Sequence, residues 1–327
     1  MQTLVNKAEP AAIELAAGIL RKGGLVAFPT ETVYGLGADA TCAEAVARIY
    51  AAKQRPSFNP LIAHVADSRA ARFQGLFDNH AEKLAEAFWP GPLTLVTPAS
   101  ADCTVSLLAR AGLDTLALRV PAHPVARALL LAFDRPVAAP SANVSGTVSP
   151  TTAEHVRDGL DGRIDMILDG GACQVGLEST IVDCTGGRPR ILRPGGVPRA
   201  SIEAVLGLAL SPEPLSVPAT YDVGIVAPGM LASHYAPRAK VVLDGADFHA
   251  GDAVLDFGGA LANTAAVAAA YEDLSPRADP VEAAANLFAA MRRLDASGAG
   301  RIVVAPVSGH DIGEAINDRL KRAAAEG

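Results

Sequence analysis

Apolar residues recur along the first two hundred positions in two rhythms, one helical and one extended. Over 10–22, Ile13, Ala16, Ala17 and Leu20 share one face at helical spacing. Pro10 suits the first turn of that helix and Gly23 its exit. Helices are also expected over 43–53 and 81–88 and after Pro124 and Thr152. Short apolar runs predict strands at 25–28, 61–65, 93–97, 115–120, 137–139, 164–168, 179–183 and 190–193. The alternation is that of an α/β fold. Its sheet should be mixed, because the last two strands are separated only by the Gly186-Gly187 turn, too short for a parallel crossover.

After Leu208 the rhythm stops, and Pro212, Pro214, Pro218, Pro228 and Pro237 interrupt the chain. The expected division is a catalytic domain at 1–207, a linker or lid at 208–238 and a smaller doubly wound, Rossmann-like α/β domain at 239–327. In the last, strands at 240–243, 253–257 and 301–305 should alternate with helices at 280–297 and 311–325. The linker carries Tyr221, Ile225, Val226, Met230, His234 and Tyr235, apolar or aromatic groups that need a surface to cover, and Gly229 offers a hinge.

A length of 327 residues agrees with two cores, and 50% hydrophobic against 19% charged residues argues against global disorder. No apolar run approaches the roughly 20 residues of a membrane helix and the first residues are polar, so a cytoplasmic location without membrane association is expected. Cys42, Cys103, Cys173 and Cys184 form no C-x-x-C pair and read as buried thiols. The net charge of −7 disfavours a globally basic nucleic-acid binder. Residues 1–207 hold 19 Lys+Arg against 20 Asp+Glu, the remainder 9 against 15, so a polyanion site belongs to the first part.

Groups that do not suit packing gather at the ends of predicted strands, where open α/β sheets bind ligands. The run Pro29-Thr30-Glu31-Thr32-Val33-Tyr34-Gly35-Leu36-Gly37 crowds hydroxyls, a carboxylate and a phenol onto a Gly-bearing turn. Lys53-Gln54-Arg55-Pro56 and Asn59-Pro60 place two cations and an amide in a Pro-framed loop, suited either to a helix C-terminus or to phosphate. His64 lies alone on an apolar strand, as a core histidine also would. Arg119 interrupts another, where an internal acid or a ligand carboxylate must answer its charge. Ser141-Ala142-Asn143 follows a further strand, Glu178-Ser179-Thr180 opens one, and Arg190 and Arg193 are expected on one face of the next. No Ser-His-Asp order, Cys-His pair or H-E-x-x-H site accompanies them. The set suits charge neutralisation of a triphosphate and an acid.

The run 28–37, Lys53-x-Arg55-Pro56, Pro140-Ser-Ala-Asn-x-Ser-Gly146 and Glu178-Ser-Thr180 closely resemble the YrdC-like family. Pro228-Gly229-Met230 with His234-Tyr235-Ala236-Pro237 resembles the linker signature of the two-domain threonylcarbamoyl-AMP synthases. That resemblance implies a YrdC-like twisted mixed sheet. It also implies that L-threonine, bicarbonate and ATP, with Mg2+, give threonylcarbamoyl-AMP and pyrophosphate. Downstream transferase proteins would then pass the group to tRNA, with no stable tRNA binding by this chain. By resemblance Thr32, His64, Arg119, Ala139 and Ser179 line the threonine side. Arg55, Asn59, Thr115, Ser141, Asn143, Ser149, Arg193 and Tyr235 line the nucleotide, and Lys53 and Arg55 are the catalytic cations; no metal-ligating residue is assigned. Ala139 stands where many relatives carry a hydroxyl, so its contact is with the main chain or absent. Two other classes compete. A carbamoyl-transfer protein of hydrogenase maturation is disfavoured by the lack of Cys-rich zinc modules, and a non-catalytic RNA-binding module by the near-neutral first domain.

Overall fold

The apolar stripe at the N-terminus forms the first helix, α1 (Pro10–Arg21), which buries Ala12, Ala16, Ala17 and Leu20. In the computed structural model, which describes residues 2–56, 59–210, 234–245 and 247–325, α1 lies beside a large sheet. The strands of its first half are β1 (Leu4–Lys7), β2 (Val26–Phe28), β3 (Gly35–Asp39), β4 (Ile62–His64), β5 (Leu93–Pro98) and β6 (Thr115–Arg119). Then come β7 (Val137–Ala138), β8 (Met166–Asp169), β9 (Thr180–Asp183) and β10 (Arg190–Arg193). Between them run α2 (Ala43–Lys53), α3 (Ser68–Gln74), α4 (Asn79–Phe88), α5 (Pro124–Phe133) and α6 (Ala153–Leu160), and α7 (Arg199–Leu206) follows.

The strands form one ten-stranded sheet in the order β1-β8-β2-β3-β7-β4-β6-β5-β9-β10. It is mixed as expected: β4 and β6 are parallel, whereas β9 and β10 form an antiparallel pair across the glycine turn. The second sheet is wholly parallel, in the order β11-β14-β12-β13, from β11 (Lys240–Val242), β12 (Ala253–Asp256), β13 (Ala270–Asp273) and β14 (Arg301–Val304). Its long helices are α8 (Pro280–Ala296) and α9 (Gly313–Ala324).

Several elements were not expected. The Gly-bearing turn continues into β3, where Cβ atoms would crowd the neighbouring strands: one on Gly37 would lie 2.8 Å from Phe28 and 2.9 Å from Val137. Both β1 and β13 lack a buried apolar face, and α3 and α7 are short. Cys173 and Cys184 are buried, but Cys42 and Cys103 are only half-buried. Arg190 and Arg193, at the two ends of β10, differ in burial: Arg190 is exposed and pairs with Asp183 at 2.6 Å, while Arg193 is buried. A register shift between Ile191 and Arg193 breaks the strict alternation of β10, so Arg190 lies opposite Asp183 and Arg193 opposite Ile181, two positions on one face of β9.

Of the region assigned as linker and lid, 211–233, with Tyr221, Ile225, Val226, Gly229 and Met230, lies outside the described residues. The two sheets meet through a shared apolar cluster. Val33, Val148, Leu177 and Tyr235 join Leu287, Phe288, Met291, Ile316 and Leu320 of α8 and α9. At Gly176, φ is +74° and a Cβ would lie 2.5 Å from Ala285, so the loop rests directly on the α8 backbone.

Candidate active site

The large sheet brings a cavity together from distant parts of the chain, mostly at strand carboxyl ends. Its walls include Thr32 after β2, His64 ending β4, Arg119 ending β6, Ala139 after β7, Ser179 before β9 and Arg193 ending β10. Arg55, Ser141, Glu178, His234 and Tyr235 complete them. All five residues expected on the threonine side and four of the eight expected around the nucleotide therefore line one space. A wider groove of about 620 Å³ beside α3 and α5 contains none of the sequence motifs.

Local geometry explains how the cations arrive. Gln54 takes a left-handed conformation (φ 52°) that ends α2, and the next amide, of Arg55, donates to Tyr50 O at 2.9 Å. Arg55 then enters the buried wall, where it donates to Pro60 O at 3.4 Å and, among the described residues, its Nε has no partner. Arg193 lies against Ser179, its Nη2 donating to the carbonyl oxygen at 2.9 Å and to the hydroxyl at 3.2 Å. Gly195 permits this approach, since a Cβ there would lie 2.3 Å from Glu178 O. Among the described residues no carboxylate pairs with Arg55 or Arg193. Burial, with Arg193 contributing, brings the Arg55 guanidinium down to about 10, still charged at neutral pH.

Arg119 is answered internally. Its Nη2 donates to Glu31 Oε1 at 2.6 Å, while Glu31 Oε2 accepts from the amides of Ala122 and His123. Although burial works against the charge, Arg119 and these hydrogen bonds hold Glu31 below its usual carboxylate range. The guanidinium retains further N–H donors for a ligand. Beside it His64 is pushed down to about 3 by burial and by Arg119, and is neutral at physiological pH. Thr30 and Thr32 join their hydroxyls at 2.7 Å, and Ser179 joins Thr94 at 2.7 Å.

Five expected residues lie off the cavity wall. Lys53 is buried behind it, with Nζ donating to Ser141 O at 2.5 Å and to Asn143 O at 2.6 Å. It holds the 141–143 loop. Asn143 spends its amide within that loop, donating to Val144 O at 3.0 Å and Thr147 O at 2.8 Å. Thr115 sits at the opposite end of β6 from Arg119, roughly 13 Å along the strand. Asn59 is buried, and among the described residues its Oδ1 has no partner. Ser149 donates to Glu178 Oε1 at 2.5 Å. Since an ionised carboxylate only accepts, that hydroxyl has only lone pairs left for a ligand.

Glu31, Glu178 and His234 were not assigned from sequence as site residues. For Glu31 a signal existed, because a buried Arg119 requires an acid. His234 adjoins Tyr235, is pushed down to about 3 by burial and, among the described residues, has no partner for Nδ1. Among the described residues no group of three or more His, Cys, Asp or Glu is placed to hold a metal. The two wall-associated carboxylates are committed, Glu31 to Arg119 and Glu178 to Ser149 and Arg319.

A family model described as telomere recombination matches residues 18–195, and one described as threonylcarbamoyl-AMP synthase, C-terminal domain, matches residues 197–325. The chain is 42% identical over 324 residues to the threonylcarbamoyl-AMP synthase of Pyrococcus abyssi, covering 95% of this chain and 93% of that protein. It is 41% identical to the threonylcarbamoyl-AMP synthase of Bacillus subtilis, over 95% of this chain and 92% of that one. The crystal structure of P. abyssi Sua5 complexed with L-threonine matches with a TM-score of 0.87 at 39% identity, covering 99% and 97% of the two chains.

Proposed function

This chain belongs to the threonylcarbamoyl-AMP synthase family, and from that premise we propose that it condenses L-threonine, bicarbonate and ATP into threonylcarbamoyl-AMP and pyrophosphate. The observation that carries the reading is the pair of buried guanidinium groups, Arg55 and Arg193, on one cavity wall with no carboxylate partner among the described residues. Buried charges are normally paired, so the wall is complete only with an anion in place.

In this reading the threonine amine takes up bicarbonate as a carbamate with loss of water. A carbamate oxygen then bonds to the α-phosphorus of ATP as the bond to the β-phosphate oxygen breaks and pyrophosphate leaves. Arg119, held by Glu31, receives the threonine carboxylate. Thr32, Ser179 and neutral His64 lie close enough on the same wall to face the rest of the amino acid, and Ala139 offers only its main chain. Arg55 and Arg193 neutralise the charge spreading over the phosphates.

Lys53 and Asn143 act as positioning residues through the 141–143 loop. Ser149, limited to accepting, suits a nucleoside hydroxyl or amino group rather than a phosphate oxygen. Asn59 and Thr115 belong to the nucleotide's periphery. ATP brings its magnesium as part of the substrate, since an ion held by phosphates keeps waters and needs few protein ligands. Transfer of the product's threonylcarbamoyl group to tRNA falls to separate proteins.

The test is the substrate requirement. Pyrophosphate release from ATP should need L-threonine and bicarbonate together, and mass spectrometry should show threonylcarbamoyl-AMP. Alanine should support it poorly, because donors and acceptors set around a hydroxyl are left unpaired by an analogue lacking one. Equal rates with alanine, or with bicarbonate stripped from the buffer, exclude the reaction.

A further inference from the structure

One wall residue draws its orientation from the other sheet's domain. Glu178 lines the cavity, and its Oε2 accepts from Nε of Arg319 on α9 at 2.8 Å. Arg319 is fully buried, its Nη1 donates to Asp318 at 2.5 Å, and its Cζ stands 5.1 Å from the centre of the Tyr235 ring. That ring in turn stacks on Phe288 of α8 with centroids 5.5 Å apart. Two cavity residues, Glu178 and Tyr235, thus touch one guanidinium that is not itself on the cavity wall.

We propose that Arg319 is a positioning residue of the nucleotide half of the site. It neutralises Glu178, so that the wall shared with Arg55 and Arg193 stays attractive to polyphosphate. It also fixes the carboxylate that turns the Ser149 hydroxyl. The proposal rests on the assignment of this cavity to ATP.

Three observations favour it over a mere fastening of the two domains. The interface already has fastening elsewhere, in the apolar cluster around Phe288 and in the Arg199–Glu314 pair at 2.6 Å. A carboxylate facing a triphosphate in a water-poor cavity repels it unless a cation cancels the charge. Finally, Glu178 is ionised where it stands: burial raises its pKa, but Arg319, Arg193 and the Ser149 hydroxyl outweigh burial and hold it at about 2. Its negative charge therefore has to be offset rather than lost to protonation.

The experiment compares Arg319→Gln, Arg319→Lys and the double variant Glu178→Gln/Arg319→Gln in the full chain, with KM measured separately for ATP and threonine. R319Q should raise KM for ATP at least tenfold and leave KM for threonine within about twofold. The double variant, lacking the stranded carboxylate, should recover most of that loss, and R319K, which keeps the charge, should stay within about threefold of wild type. A purely structural Arg319 predicts otherwise: both KM values rise together, or the double variant does no better than R319Q. Either result overturns the proposal. If R319Q does not fold, the same decision comes from the other two variants: a double variant or R319K with KM for ATP raised tenfold or more overturns it. Wild-type protein in the same assay separates this failure from failure of the functional assignment, because only the latter removes threonine- and bicarbonate-dependent pyrophosphate release from the unmutated chain.

Discussion

The carboxyl ends of the two sheets carry opposite chemistry on similar architecture. In the large sheet two strand ends and the loop after α2 present Arg119, Arg193 and Arg55 to a cavity, two of them without an acid among the described residues. In the small sheet two of the four strands end at Asp256 and Asp273, and their oxygens are already occupied. Asp256 accepts from the amides of Phe257 and Leu261 and from the Tyr271 hydroxyl, at 2.7, 2.9 and 2.5 Å. Asp273 takes the amides of Gly258 and Gly259, at 3.3 and 3.1 Å. Those are backbone donors of a glycine turn, the kind of element that elsewhere cradles an anion. An open α/β sheet supplies a place for a ligand, but a strand end is a site only where its polar groups lack internal partners.

Acid should affect the two regions unequally, and this is the largest effect expected. His64 and His234, both at the first site, are buried and pushed from 6.5 down to about 3, whereas His249 and His310 beyond it are exposed. For a base whose folded pKa is depressed, the unfolded chain takes up the proton first. The stability tied to these imidazoles is therefore complete above about pH 6.5 and is lost as pH falls towards 3. Near pH 4.5 the loss is on the order of 2–3 kcal/mol per histidine. Glu178, held down at about 2, adds to the loss only below the usual carboxylate range. Urea unfolding at about pH 7 and pH 4.5 should show this drop, and because burial also lowers His155 to about 4, His64→Gln should remove roughly a third of it. Equal drops in the two proteins would show that the titrating groups lie elsewhere.

Removing the unpaired charge comes next in size. A charge-assisted hydrogen bond contributes roughly 1.5–3 kcal/mol, so Arg55→Ala should weaken an ATP analogue about ten- to hundred-fold and leave threonine little changed. Arg119→Ala should do the reverse, with an added stability loss because Glu31 is left as an unpaired buried carboxylate. Calorimetric titration of both ligands against each variant decides it. If either substitution weakened both ligands alike, the cavity would not divide into a nucleotide side and an amino-acid side.

Much of this contrast was legible in the sequence, and the failures have physical causes. The motifs at 28–37, 53–56, 140–146 and 178–180 pointed to one place because polar groups at strand ends are costly to bury without a purpose. Periodicity located most helices and strands, but β1 and β13 escaped it because neither buries an apolar face. Lys53 could be recognised as unusual, yet its direction could not: whether a cation reaches a ligand or the carbonyls of a distant loop depends on how α2 packs against residues 141–143. The dependence of Glu178 on Arg319 had no local signature, since the two are separated by 141 positions and meet only when the domains pack.

The smallest effect tests the quiet end of the comparison. Asp256→Asn keeps the shape of the side chain but exchanges one accepting oxygen for an NH2 group that cannot accept from Tyr271 or from the backbone amides. With Asp256 fully buried, one donor loses its acceptor, and the expected loss of stability is about 1–2 kcal/mol. Tyr271→Phe removes the donor instead and should lose somewhat less, because Tyr271 is itself only partly buried. Neither change should alter kcat or either KM by more than about twofold at a temperature where the protein stays folded, because all of these bonds close within the second sheet and its loops. Melting curves measure the first expectation and steady-state pyrophosphate release the second. A variant that kept its melting temperature but lost activity would mean that the carboxylates of the small sheet serve the reaction after all, and that their hydrogen bonds are a resting arrangement rather than a structural one.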